Sequence, residues 1–365
     1  MKAALFSPTP YVGPAPTGVW PVPTTTYSVE MAEQSVERSL EQFELADQLG
    51  FDWVTMAEHH YSPQSLAPNP MIMAGAVAQR VHHARIALLG ATIPFLNPVR
   101  VAEEFAMLDT LTGGRIVAGM LRGTANEYTT YHVNPAESRE RFEEALELIV
   151  RAWTEPQPFG WQGRYYEYRA VSIWPRPVQQ PHPPIYMSGS SPESGEFAAR
   201  LHLHLGFAVT TLPIASAAAR YYRQQAAAAG WEPTPDHILY RTTAYVTEND
   251  EQAFEDLGPP TSKRGVRYAH ANPVLDEAAA SAGYFGRDIA TQRARVAEHT
   301  LAERIELGQI VCGSPDTVLR QIAAIHDELG TGIIELVFAG GSRDRTLRSI
   351  ERFGTEVSPR LREIE

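Results

Sequence analysis

The 365-residue chain contains a single cysteine, Cys312. That excludes an intramolecular disulfide and any multi-cysteine zinc or iron–sulfur centre, and it fits a reducing compartment. Positive charge is also scarce: 31 Lys and Arg stand against 43 Asp and Glu, a formal net charge of −12. With no stretch that concentrates the bases, a phosphate backbone would be repelled, so nucleic acid is not an expected partner. No apolar run approaches the ~20 residues of a membrane span. The N-terminal MKAALFSPTP reaches proline too soon for a secretory signal, and a soluble, cytoplasmic protein is the expectation. Two motifs are missing as well. No G-x-G-x-x-G follows the first apolar run and no H-E-x-x-H occurs, so a dinucleotide fold and a metalloprotease site both lack their signatures, and no metal is expected.

What is present is ordinary globular composition, 44% hydrophobic and 9% aromatic, arranged in a regular alternation. Lys2 to Ser7 reads as a buried strand and is followed by a long proline-rich loop. From Glu30, Val36, Leu40 and Phe43 recur at one-turn spacing and predict a helix ending near Gly50. Strand FDWVTMAEHH, a helix over Met71 to Val81, a strand over Arg85 to Thr92, a helix over Pro98 to Leu111 and strand RIVAGM follow. Glu137 to Trp153 is strongly amphipathic, and Tyr165 to Trp174 alternates like a hairpin excursion. PPIYMSGS, HLGFAVT and HILYRTTAYVT are the fifth to seventh core strands, with helices after the first two. Residues 248–307 interrupt the rhythm as an insertion after strand seven, expected to act as a lid. Ser314 then caps a helix, GIIELVFAG is strand eight, and Thr346 to Arg360 is the last helix. Eight strands alternating with helices predict an α/β fold of the (β/α)8 barrel type with insertions, one domain over residues 1–365. A doubly wound sheet is the alternative.

In such a barrel the chemistry sits where strands end. Strand two ends in Glu58-His59-His60-Tyr61. Adjacent residues on an extended segment point to opposite sides, so one imidazole can face the mouth, where it suits proton transfer near pH 7 or simply satisfies a carbonyl. At strand three, Gly90 and Ala91 leave room for a flat ligand against backbone. After strand four, Arg122 offers a fork for phosphate or carboxylate, or a salt bridge to Glu103 or Glu127. Ser188 to Ser194 is a small-residue turn running into a helix, with free N–H groups and hydroxyls for an anion such as phosphate, or plain capping by Ser191. His202-Leu203-His204 falls at a strand beginning and reads as structural. Cys312 precedes a helix start, which could lower its pKa.

The stretches MAEHHY, LLGATIPFLNPVRVAEEFAMLDTLTGGR, LRGTANEY, ESRERFEEALELIVRAWT, PHPPIYMSGSSPESGEFAAR and CGSPDTVLRQI with GIIELVFAGG together resemble the bacterial luciferase-like, flavin-dependent monooxygenases, in order and spacing, over nearly the whole chain. The resemblance implies a barrel that binds FMN, with its phosphate at Ser190, Ser191 and Ser194 near Arg122 and its ring over the ends of strands three and four. It implies that His59 lies close to the reactive face, with His60 beside it, and that a non-proline cis peptide falls around Leu89 to Ala91. Leu121 stands where luciferases carry a cysteine. The implied reaction uses reduced FMN from a separate NAD(P)H-dependent flavin reductase and O2, through a C4a-peroxyflavin, to oxygenate a small organic substrate. Acidic net charge and apolar mouth residues suggest a neutral or weakly polar substrate such as an aldehyde or ketone. A deazaflavin-dependent hydride-transfer enzyme and a non-catalytic flavin-binding barrel are the rivals, and a homodimer or higher homo-oligomer is expected.

Overall fold

In the computed structural model, residues 1–17, 19–208, 210–259, 273–283 and 299–364 are described. Strands β1 (Lys2–Phe6), β2 (Trp53–Met56), β3 (Arg85–Thr92), β4 (Ile116–Leu121), β7 (Ile185–Ser188), β8 (His204–Phe207), β9 (Ile238–Val246) and β11 (Ile333–Phe338) pair in that order, all in parallel. Because β11 pairs with β1 on its other side, the eight close into the expected barrel. Between β4 and β7 a short antiparallel pair, β5 (Phe159–Gln162) and β6 (Glu167–Val171), forms the hairpin excursion.

The helices form where the pattern and caps dictate. The Ser28 side chain accepts from Met31 N at 3.3 Å to start α1 (Val29–Gln48), which buries Leu40, Phe43 and Ala46. Helix α3 (Pro98–Thr112) begins on Asn97 and stops at Gly113, whose φ of 64° needs glycine. In α5 (Ser138–Thr154) the stripe Phe142, Leu146, Ile149 and Trp153 faces the core. The remaining crossovers are α2 (Pro70–Val77), α4 (Ala125–Thr130), α6 (Pro192–Arg200) and α7 (Leu212–Ala228).

Four sequence expectations need correction. Strand two stops at Met56, so Glu58 to Tyr61 lie in the loop beyond it. The insertion after β9 contains α8 (Asp250–Leu257), α9 (Pro273–Ser281) and α10 (Leu301–Glu306), with residues 260–272 and 284–298 outside the described set. It then returns through a ninth strand, β10 (Ile310–Gly313). This strand pairs in parallel with Thr243 to Val246, while β8 pairs with Ile238 to Tyr240, so β9 takes a different neighbour along each half of its length. At Leu89 to Ala91 no cis peptide occurs; the cis bonds among the described residues precede Pro21, Pro175 and Pro181. Instead, the β3–β4 register shifts between Leu89 and Ala91. Cys312 lies buried in β10, and burial pushes its thiol up to about 11, opposite to the expected activation.

Among the described residues no helix is long and apolar enough to cross a membrane.

Candidate active site at the barrel mouth

Past the end of β2 the backbone turns Glu58 inward. Its carboxylate accepts from Thr92 N (3.2 Å) and Thr92 Oγ1 (2.5 Å), which ties the β2 loop to the end of β3. His60 Nε2 lies 2.9 Å from Glu58 Oε1, both side chains are buried, and the imidazole edge packs against Tyr131. A Cβ on Gly90 would lie 2.7 Å from Glu58 N and 2.8 Å from Ala57 Cα, so glycine is what lets β3 pass this close. His59 points the other way. Its side chain is 41% exposed, and Nδ1 lies 3.6 Å from Glu127 Oε1. The two neighbouring imidazoles thus divide, His60 buried in the wall and His59 part-exposed at the mouth, although they lie in the loop beyond the strand.

Glu127 arrives from α4. In the sequence Thr124-Ala125-Asn126-Glu127 the glutamate stands at the third helical position. Its Oε2 accepts from Thr124 N at 2.7 Å and from Thr124 Oγ1 at 2.5 Å. Oε1 is buried, with no hydrogen-bond partner among the described residues, and faces His59. Burial pushes this carboxyl up, but the imidazole and the Thr124 donors outweigh it and hold it below the ordinary carboxylate range. A buried anion behind a half-exposed imidazole fixes the orientation of the ring. Arg122, two residues before Thr124, does not pair with Glu103 or Glu127 as spacing alone allowed; Nη1 donates to Ala282 O at 3.0 Å, just beyond α9. Leu275 and Ala279 of α9 pack on Ala125, with Trp20 of the proline-rich loop against them, so that loop and the insertion meet beside the mouth.

Across the barrel, β7 feeds the serine turn. Ser191 Oγ accepts from Ser194 N at 3.3 Å and lies 3.1 Å from Ser194 Oγ, while Ser190 is exposed. The capping reading of this turn holds: Ser191 caps α6, with the Ser194 hydroxyl beside it at the helix start. Glu193 reports the local field. Its own backbone N–H and the Ser191 hydroxyl hold its carboxyl below the ordinary range, and Arg139 and Arg122 add to the pull. Gly189 leaves no space for a side chain, since a Cβ would stand 2.7 Å from Leu205 Cδ2.

The structure thus gathers His59 and His60 with Gly90 and Ala91 at the ends of β2 and β3, and Arg122 within electrostatic reach of the serine turn. Two functional groups were missed. Glu127 was weighed only as a salt-bridge partner, although the T-x-x-E capping box announces it. Glu58 was noted for its place in the motif, but its role as the acceptor linking β2 to β3 depends on a contact 34 residues away in sequence.

A family model for luciferase-like monooxygenases matches residues 16–332. The 4-hydroxyprotoasukamycin monooxygenase of Streptomyces nodosus subsp. asukaensis is 26% identical over 90% of this chain and 87% of its own. The chain spans about half the length of other curated relatives that it matches. The oxygenase component of flavin-dependent trigonelline monooxygenase from Acinetobacter baylyi, for example, is 28% identical over 48% of this chain and 51% of that protein. Among solved structures, monooxygenase RslO1 from Streptomyces bottropensis superimposes with a TM-score of 0.75 at 27% identity, covering 98% of this chain and 99% of that one. Barrel, mouth and matched residues agree: the chain belongs to the luciferase-like monooxygenases, a family of oxidoreductases.

Proposed function

We propose that this protein is the oxygenase of a two-component system, taking reduced FMN from a separate NAD(P)H-dependent flavin reductase and using O2 to oxygenate a small organic substrate such as an aldehyde or ketone. The observation that carries the reading is the group of hydroxyls at the start of α6, where Ser191 Oγ lies 3.1 Å from Ser194 Oγ and Ser190 is exposed, with the neighbouring Glu193 carboxyl held below its ordinary range. Ser190, Ser191 and Ser194 with Arg122 would hold the FMN phosphate, and Gly90 and Ala91 would lie under the ring. Reduced FMN supplies the electrons for oxygen activation.

The chain's own residues do the rest. Glu127 keeps the His59 imidazole oriented through Nδ1, leaving Nε2 to hold or deliver a proton at the mouth. His60 acts as a positioning residue: with Glu58 and Thr92 it fixes the backbone that carries His59. Helix α9, packed on Ala125 and Trp20, serves as part of a lid that limits water at the site. The exposed Ile72 on α2 and Met107 and Leu111 on α3 would provide apolar surface for a homodimer, while a groove of about 750 Å³ lined by His59, His60, Tyr61, Tyr27 and Val29 adjoins the site itself.

The test is direct titration of the protein with FMN, followed by stopped-flow mixing of photoreduced FMN and protein with oxygenated buffer. Micromolar FMN binding that weakens at least tenfold in Arg122→Ala, with flavin reoxidation slowed relative to free reduced FMN, is expected. Binding of a deazaflavin in place of FMN, or no flavin binding, would overturn it.

A further inference from the structure

One charged pair inside the barrel has no part in the flavin reading. Ala4, Trp53, Leu89, Val117, Tyr186, Leu239 and Ile333 form one cluster drawn from seven strands, which marks the inward-facing positions. Two residues further along their strands, nearer the mouth, the same alternation places Phe6, Thr55, Arg241 and Glu335 inward. Arg241 and Glu335 are register partners on β9 and β11. Arg241 Nε donates to Glu335 Oε2, and Thr55 Oγ1 donates to Oε1 of the same carboxylate. The guanidinium carbon lies 3.5 Å from the centroid of the Phe6 ring. Both Glu335 oxygens are therefore engaged, and the guanidinium is held on one edge and one face.

Its remaining donors are open. Glu335 and Thr55 are fully buried, whereas the Arg241 side chain keeps 16% of its surface exposed. Nη1 and Nη2 make no hydrogen bond among the described residues. On the neighbouring strand β8 the inward position is Gly206, where an added Cβ would meet nothing closer than 3.9 Å, and next to it on β7 is Ser188, which is exposed. A guanidinium fork held through Nε and one face, partly exposed and beside the side-chain-free position Gly206 of the next strand, matches a carboxylate, which accepts two parallel N–H bonds. A neutral carbonyl or amide offers no such charged, two-oxygen partner.

We infer that Arg241 is a substrate-recognition residue that binds a carboxylate, with Glu335, Thr55 and Phe6 as its positioning residues, so that the substrates are small organic acids. The inference rests on the proposed flavin-dependent oxygenation for the chemistry done on the bound acid. It revises the expectation of a neutral substrate: a carbonyl or ring carbon can still receive oxygen, but the molecule is anchored by its anion.

The experiment is isothermal titration of the full chain, with and without FMN, using benzoate, nicotinate and phenylacetate, each against its carboxamide and its sulfonate analogue. At least one carboxylate binding tenfold or more tightly than its amide is expected. Arg241→Gln should abolish that preference while FMN affinity stays within threefold, and Arg241→Lys, which keeps the charge and loses the fork, should restore it only in part. If the single variant does not fold, Arg241→Gln/Glu335→Gln leaves no unpaired buried charge and must show the same loss. The proposal is overturned if no carboxylate in the panel outbinds its amide or only sulfonates do so. It also fails if the preference survives in the glutamine variants, or if Arg241→Gln weakens FMN tenfold and so assigns the fork to the flavin. Failure of the parent protein to bind FMN, with the carboxylate preference intact, would count against the flavin reading alone.

Discussion

At the lower end of the barrel six rings lie in sequence. Trp53 packs edge-on against Tyr186 (centroids 5.3 Å), Tyr186 stacks on His204 (4.5 Å), His204 on His237 (4.3 Å), His237 meets Trp231 (5.3 Å), and Trp231 stacks on His202 (4.5 Å). The polar atoms among them are engaged: His204 Nδ1 donates to Ile185 O, His237 Nδ1 accepts from Thr234 N, and Tyr186 Oη donates to Asp236 O. At the upper end titratable groups stand in pairs, Glu58 with His60 in the loop beyond β2, Glu127 of α4 with His59, and Glu335 of β11 with Arg241 of β9, and the outer member of the last two is partly exposed. The lower end closes on itself through stacked rings; the upper end is built of ionisable pairs that stay partly exposed. Burial therefore closes one end on itself, while at the other it holds polar side chains in place with part of their surface still exposed.

Removing half of a buried pair at the upper end has the largest effect. Glu335→Ala strands Arg241 in the barrel interior and should cost about 3–5 kcal/mol of stability, read from urea denaturation at neutral pH. A change under 1 kcal/mol would mean that water already reaches the pair. The lower end should answer to acid instead. Burial and the neighbouring His237 hold His204 down to about 4, and His237 is lowered too. Between pH 6.5 and about 4 the unfolded chain takes up protons that the folded one refuses, so this contribution is fully present above 6.5 and lost on acidification. About 3 kcal/mol from His204 is expected. His204→Phe should flatten the pH dependence of the urea midpoint across that window; an unchanged slope would remove the ring row from the acid response.

His59 separates function from stability. Since the imidazole is half-exposed, His59→Gln should change stability by less than about 1 kcal/mol while lowering turnover of reduced FMN and substrate on the order of a hundredfold. Equal turnover would take the imidazole out of the chemistry. Smallest is Ser191→Ala, which loses one cap at the start of α6: about 1 kcal/mol in denaturation, with FMN binding several-fold weaker.

Most of the barrel could be read from the chain because its signals are local. Caps such as Ser28 and Asn97, stops such as Gly113, and the α5 stripe each act within a few residues, and strand–helix alternation then leaves few topologies. β10 escaped because four residues, Ile310–Gly313, carry too little periodicity to stand out after a polar insertion. The mouth divided in the same way. His59, Arg122 and the serine turn announce themselves by residue type at strand ends. The pairing of Glu335 with Arg241, 94 residues apart, and of Glu58 with Thr92 arises only on closure of the sheet, and no spacing rule contains it.

The divided pairing of β9 has a consequence for how this barrel can vary. The insertion leaves from the end of β9 and comes back as β10 hydrogen-bonded to that same strand, so its two ends are fixed side by side whatever lies between them. For a segment with joined ends, closure entropy grows only with the logarithm of length, about 0.6 kcal/mol for each doubling. Provided that Ala253, Leu257 and Leu301 keep their packing on Ile310 and Cys312, the length between α8 and α10 can therefore change at small entropic cost while the eight strands keep their register, which makes this segment the place where one scaffold can be refitted for molecules of different size.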